Sequence, residues 1–210
     1  MMDTPRPAPA DFPKRDDRLT TILLVARLST ENWDDLCRIR NVSSGGMRLE
    51  TRAALVTGER VGIDLKNGNA VAGVVVWTDR FEVGVQFDQP VDIVALLAPT
   101  AQSPRSLRLS ARCPVVLRLD GHIVPGLLQN ISQGGTRVVL APPARLNDGV
   151  VVVIPGLKSQ RASVRWVAPG TVGLAFSETV AFAELSHWLA QQHRFSATSS
   201  APLSPNRQSS

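Results

Sequence analysis

The sequence predicts an all-β protein with short helices, built as two tandem six-stranded antiparallel β-barrels with a C-terminal helix on the second. Three observations lead there. Short runs of alternating apolar and polar residues are separated by turn formers, and 15 Gly and 15 Pro in 210 residues supply many turns. The pattern then recurs: Asn41, Ser43, Gly46, Trp77, Gly84 and Phe87 are matched 89 positions later by Asn130, Ser132, Gly135, Trp166, Gly173 and Phe176. A constant offset of this kind marks a tandem duplication. Finally, six short strands per copy cannot bury a core as one flat sheet. Closure into a barrel removes the edges and gives every alternating face an interior.

Residues 1–14 read as a disordered leader, because Pro5, Pro7, Pro9 and Pro13 break any regular element. The first barrel is expected over residues 15–98. It opens with the apolar run Leu19 to Leu28, and the polar stretch Ser29 to Asp34 reads as a loop. Cys37 to Val42 alternates, which predicts Cys37, Ile39 and Asn41 on one face. Ser43-Ser-Gly-Gly46 interrupts the run and Met47 to Glu50 resumes it. Val61, Ile63 and Leu65 face a core while Asp64 and Lys66 face water, and Asn67-Gly68 is a strong hairpin signal. Asp64 to Asn69 resembles a calcium loop but lacks the distal Glu and fits a hairpin better. Strands at Val71 to Trp77 and Val83 to Phe87 complete the set, followed by a short helical segment near Pro90 to Leu97.

Residues 99–104 form a proline-bounded linker. The second barrel is expected over residues 105–195, with strands near 114–119, 126–131, 136–140, 150–154, 162–166 and 172–176. A helix follows from Ser177, capped by Ser177 or Thr179, with Val180, Leu185, Trp188 and Leu189 at helical spacing, ending near Arg194. Residues 196–210 are Ser/Pro-rich and read as a disordered tail.

Composition excludes several classes. Hydrophobic residues at 43% and charged residues at 20% are an ordinary globular balance. A net charge of +5 favours anionic partners without choosing among nucleotides, nucleic acids and acidic surfaces. No apolar run approaches the ~20 residues of a membrane span. The N-terminus lacks the apolar core of a signal peptide, so the expected location is cytoplasmic. Cys37 and Cys113 lie outside any Cys-x-x-Cys spacing and read as buried, reduced residues, with a disulfide as the alternative. His122, His187 and His193 have no metal-ligand spacing. No nucleophile–base constellation stands out, so neither an enzyme nor a metal or cofactor is expected.

Two short motifs carry chemistry. Arg108-Leu-Ser-Ala-Arg112 places two arginines four residues apart, and guanidinium groups fork onto phosphate oxygens or guanine O6/N7. Asn130-Ile-Ser-Gln-Gly-Gly135 adds an amide, a hydroxyl and paired glycines. As plain structure, the arginines are solvated charges and the glycines supply positive φ in a tight turn. The repeat argues for more, because Asn and Ser persist in both copies whereas a turn needs only the glycines. Trp77 and Trp166 read as core residues or barrel-end plugs.

Arg108-x-x-x-Arg112 followed by Asn130-x-Ser132-x-x-Gly135 resembles the PilZ domain, a bacterial six-stranded barrel that binds cyclic di-GMP. The resemblance covers residues 105 to about 194, with a weaker match over about 14 to 98. It implies that Arg108 and Arg112 hold guanine faces and phosphates, that Asn130 and Ser132 contact a guanine edge, and that Gly135 shapes the turn. The family often has Asp at the position of Asn130. A carboxylate accepts from both guanine N1–H and N2–H, whereas an amide offers one acceptor, so weaker binding is expected. In the first copy, the 89-residue offset places Leu19 and Leu23 at the arginine positions. Lys14-x-x-x-Arg18 is the nearest equivalent if the loop is longer, giving a weaker second site of Lys14, Arg18, Asn41, Ser43 and Gly46, with Asp16 and Asp17 repelling phosphate.

The function implied is a cyclic di-GMP receptor that couples ligand binding on the second barrel to reorientation of the first and to an unidentified protein effector. No DNA partner is expected, and the oligomeric state is open. The alternative is a ligand-independent PilZ-like adaptor in motility, pilus or exopolysaccharide control. A third reading is a basic small-barrel RNA binder, disfavoured because the chain has no Tyr and shows few exposed aromatics for base stacking.

Overall fold

A computed structural model describes residues 20–99, 106–140 and 144–199 of the chain. The expected leader, with Lys14 and Arg18, most of the linker, and everything past residue 199 lie outside the described residues.

Two closed barrels follow one another. The first comprises β1 (Thr20–Ser29), β2 (Asp34–Ser43), β3 (Gly46–Thr51), β4 (Arg60–Leu65), β5 (Ala70–Asp79) and β6 (Glu82–Phe87), then the short helix α1 (Ile93–Leu97). The second comprises β7 (Leu109–Leu119), β8 (His122–Ser132), β9 (Gly135–Leu140), β10 (Gly149–Val153), β11 (Gln160–Ala168) and β12 (Thr171–Phe176), then α2 (Phe182–Ser199). The strand orders are β1-β2-β3-β6-β5-β4 and β10-β11-β12-β9-β8-β7, the same cycle read in opposite directions. Every pair is antiparallel, and the expected all-β tandem-barrel architecture is what the chain adopts.

The interiors are filled by the alternating positions of the strands. Ile39, Leu49, Ile63, Val75 and Val85 fill the first barrel, and Leu117, Leu128, Ile131, Val138, Val152 and Leu174 the second. Leu185, Trp188 and Leu189 of α2 are buried against the second core, and Trp188 Nε1 donates to the Pro155 carbonyl at 2.7 Å. Cys37 and Cys113 are both free and buried, and burial pushes both thiols up from their ordinary range. Among the described residues no helix is long and apolar enough to cross a membrane.

Four local expectations change. A bulge at Arg40 shifts the β2 register between Ile39 and Asn41, so Val42 rather than Asn41 joins Cys37 and Ile39 in the core. The extra residue reverses the alternation, which periodicity alone cannot anticipate. β7 begins at Leu109, not near residue 114, so Arg112 lies within a strand. α2 begins at Phe182, so neither Ser177 nor Thr179 is its N-cap, and it continues to Ser199 past the expected end at Arg194. The first proline beyond Arg194 is Pro202, so the sequence holds no breaker before then.

The two barrels are in contact. Leu36 of β2 is buried in the second barrel's core cluster, with Val25 of β1 packed beside it. The Arg38 guanidinium lies 4.1 Å from the centroid of the Phe182 ring, and Trp33 stacks on His193 with ring centroids 4.8 Å apart.

Candidate functional site

The repeated Asn-x-Ser-x-x-Gly segment is the β8–β9 hairpin, with Ser132 paired to Gly135 across the two loop residues Gln133 and Gly134. Ser132 is buried, and its hydroxyl donates to the Gly135 carbonyl at 3.2 Å; Ser43 does the same to Gly46, also at 3.2 Å. The serine therefore has a turn-locking role common to both copies. The glycines are not there for positive φ, which none of Gly45, Gly46, Gly134 and Gly135 has. A Cβ on Gly135 would collide with the Leu174 carbonyl, and one on Gly46 with that of Val85, so these glycines permit close strand packing.

Asn130 has no such turn-locking bond from its side chain. A bulge at Gln129 shifts the register between Leu128 and Asn130, putting Asn130 on the outer face while Ile131 turns into the core. Its backbone carbonyl accepts from the Thr136 hydroxyl at 2.7 Å, and its carboxamide has no partner among the described residues. β7 pairs Ser110 with Asn130, which brings the residues just before β7 alongside the hairpin.

The result is a cleft of about 160 Å³ on the outside of the second barrel. Arg108, Asn130, Ser132 and Gly135 all line it, so four of the five expected residues come together. Arg112 does not: it is exposed within the bulge that interrupts β7 between Ser110 and Cys113.

Arg165 and Trp166 also line the cleft, and neither was assigned a binding role from the sequence. A bulge at Arg165, between Val164 and Trp166, turns Trp166 onto the outer face. There it lies over Gly173, where any Cβ would strike the indole. The expectation of a core plug is corrected for both tryptophans: Trp166 is half-buried and Trp77 is 41% exposed over Gly84. The signal was the matched Trp77–Gly84 and Trp166–Gly173 pairs, because a glycine opposite a tryptophan makes a flat seat for the ring. The Arg137 guanidinium lies 5.8 Å from the Trp166 ring centroid, a cation–π contact beside the cleft.

The same surface of the first barrel is chemically different. β1 pairs with β2 in the register of β7 with β8, bulge included, so Leu23 stands where Arg112 stands. This register follows the 89-residue offset and argues against Lys14 and Arg18 as the equivalents. Val76 occupies the position of Arg165, and Arg48, the counterpart of Arg137, is bound to Glu82 at 2.6 Å. The second copy has Thr171 in place of Glu82, which leaves Arg137 without that carboxylate.

The segment entering the second barrel is tied to the first. Asp34 Oδ2 accepts from the Ser110 backbone N–H at 2.8 Å, and Arg27 Nη1 donates to the Arg108 carbonyl at 3.4 Å. Arg27 is itself held by Asp64 through Nε at 2.7 Å and lies 3.8 Å from Asp34. Next along β2, Asp35 is wholly buried, with one oxygen accepting from the Leu36 N–H at 2.7 Å and the other unpartnered. Burial pushes its carboxyl up to about 7, against smaller lowering from that hydrogen bond and from Arg52. Burial also lowers His193, which the Asp34 carbonyl and charge partly offset. Among the described residues no group of three or more His, Cys, Asp or Glu could hold a metal ion.

Comparison with solved structures finds low-identity likenesses. PlzA of Borreliella burgdorferi in complex with c-di-GMP is 9% identical, covering 79% of this chain and 86% of that one, with a TM-score of 0.35. YcgR of Escherichia coli with c-di-GMP is 13% identical over 84% of this chain and 87% of that one, TM-score 0.35. MotI of Bacillus subtilis is 15% identical over 85% and 98%, TM-score 0.35. No curated protein matches the sequence. The PilZ domain family profile matches twice, over residues 13–98 and 100–191. With a barrel under each match, the chain belongs to the PilZ domain family and carries that domain in tandem.

Proposed function

We propose that the chain is a cyclic di-GMP receptor whose second barrel binds the ligand and whose first barrel receives the signal. The observation that carries this reading is the cleft that gathers Arg108, Arg165, Asn130 and Trp166 on one face. Two guanidinium groups suit phosphate oxygens and the O6/N7 edge of guanine, an indole offers a stacking face, and a free carboxamide reads a base edge. Arg112, exposed nearby on β7, is available to a ligand larger than the cleft. Ser132 acts by holding the turn and retains its lone pairs as acceptors.

Coupling has a physical route. Arg108 and Ser110 are hydrogen-bonded to Arg27 and Asp34 of the first barrel. A ligand that draws on Arg108 acts on the same short segment that docks the two barrels. Such a ligand shifts the interdomain arrangement in proportion to its preference for one arrangement over the other. The signal then passes to a protein effector.

One observation favours the adaptor reading for the first barrel. Its counterpart surface carries exposed Leu23 and Val76 in place of cations, beside the exposed Trp77, which suits a protein surface better than a nucleotide. Adaptor and receptor roles are thus divided between the copies.

Isothermal titration with cyclic di-GMP tests the receptor reading. Wild type is expected to bind, and Arg108→Ala to bind about ten- to a hundredfold more weakly, the range for a lost charged hydrogen bond. Absence of binding in wild type, or equal binding in both, contradicts it.

A further inference from the structure

The cleft on the second barrel continues past its own edge. Ser106 and Gly134, which line it, also line a neighbouring groove of about 280 Å³ between the barrels. Gln133 and Thr179 belong to the second-barrel wall of that groove; Leu36 and Lys66 form the wall of the first. Lys66 is the charged side chain among the described residues of this lining.

The backbone that carries Lys66 is held in place by its neighbours, while its side chain is exposed. It opens the β4–β5 hairpin, in which the Leu65 N–H donates to the Asn69 carbonyl at 2.8 Å and the Gly68 N–H to the Leu65 carbonyl at 3.0 Å. Gly68, at φ +93°, makes the turn. Asn67 Nδ2 donates to the carbonyls of Leu96 and Ala98, both at 2.9 Å. Asn69 Nδ2 donates to those of Ala95 at 3.0 Å and Leu96 at 2.9 Å. These are carbonyls that the end of α1 leaves without helical partners, so two side-chain amides pin the hairpin to the helix preceding the linker. The nearby Asp64 is engaged by Arg27. None of the ion pairs among the described residues involves Lys66.

We propose that Lys66 is a further ligand-binding residue, supplied by the first barrel to a phosphate of the nucleotide seated on the second. The inference rests on reading the cleft as a cyclic di-GMP site. A nucleotide that fills the cleft reaches the Ser106–Gly134 border, where the groove opens toward Lys66. An ammonium on a flexible stem meets a phosphate as a point charge without the forked geometry an arginine demands. The ligand then touches both barrels, and its preference for the arrangement that presents Lys66 is the differential affinity that coupling requires.

Titration of the full chain with cyclic di-GMP at low and high salt, for wild type, Lys66→Ala and Lys66→Arg, decides it. Lys66→Ala is expected to bind about tenfold more weakly and with a shallower salt dependence, because one screened cation is gone, while Lys66→Arg stays close to wild type. Wild-type affinity and salt dependence in Lys66→Ala overturn the assignment. A loss in Lys66→Ala that Lys66→Arg does not recover also overturns it, since the cause would be the hairpin's shape rather than its charge. Wild type failing to bind at all overturns instead the cyclic di-GMP reading on which the assignment stands.

Discussion

Asp35, beside Leu36 on β2, is wholly buried, with one carboxylate oxygen unpartnered. Burial raises its pKa from 3.8 to about 7. Between those values the folded chain keeps the proton and the unfolded chain releases it. The group's stabilising contribution is therefore complete below about pH 3.8 and is lost as pH rises through about 7. Urea midpoints at about pH 4 and about pH 8 should differ less for Asp35→Asn than for wild type; the same pH dependence in both contradicts this. Neither Asp34 nor Asp35 stood out in the sequence, because nothing local distinguishes a carboxylate that tertiary packing will bury. The opposite holds for Ser132. Its persistence in both copies suggested ligand chemistry, but the Ser132–Gly135 and Ser43–Gly46 bonds give that persistence a turn-locking cause. Asn130 lines the cleft without such a turn bond, and the binding role proposed for it rests on that position.

Bulges build the site from the strands. Those at Gln129, Arg165 and within β7 lie around the cleft and turn Asn130 and Trp166 outward against the strict period of two. Alternation was enough to find the strands, but a bulge is one extra residue with no composition of its own. The assignment of Asn41 to the core face failed for that reason. The clue that survived was duplication, since β2–β3 and β5–β6 repeat the bulges of β8–β9 and β11–β12. α2 belongs to the second core through Leu185, Trp188 and Leu189, as its helical spacing indicated, although its start and end lay elsewhere. Trp188→Ala removes a 1%-exposed ring and its bond to Pro155. It is expected to destabilise the chain by about 3–5 kcal/mol in denaturant unfolding. A change below about 1 kcal/mol contradicts α2 as a core element.

Across the whole molecule, duplication followed by divergence has produced two barrels of one topology and unlike surfaces. The second retains Arg108, Arg137 and Arg165 around Trp166. The first has Leu23 and Val76 at two cationic positions and neutralises Arg48 with Glu82. The sequence showed the loss of the first arginine pair. It could not show that Arg112 would stand outside the cleft, or that Arg165 would enter it, because both depend on how the bulged strands face. The docking of the barrels through Arg27, Asp34, Leu36 and α2 was likewise hidden, since it joins residues far apart in the chain. Hydrogen–deuterium exchange of the full chain with and without cyclic di-GMP tests the division of roles most directly. Ligand-induced protection is predicted at residues 106–110, 130–136 and 165–173 of the second barrel and not at the corresponding 41–47 and 76–84 of the first. No protection anywhere, or protection centred on the first barrel's own hairpin, would contradict it.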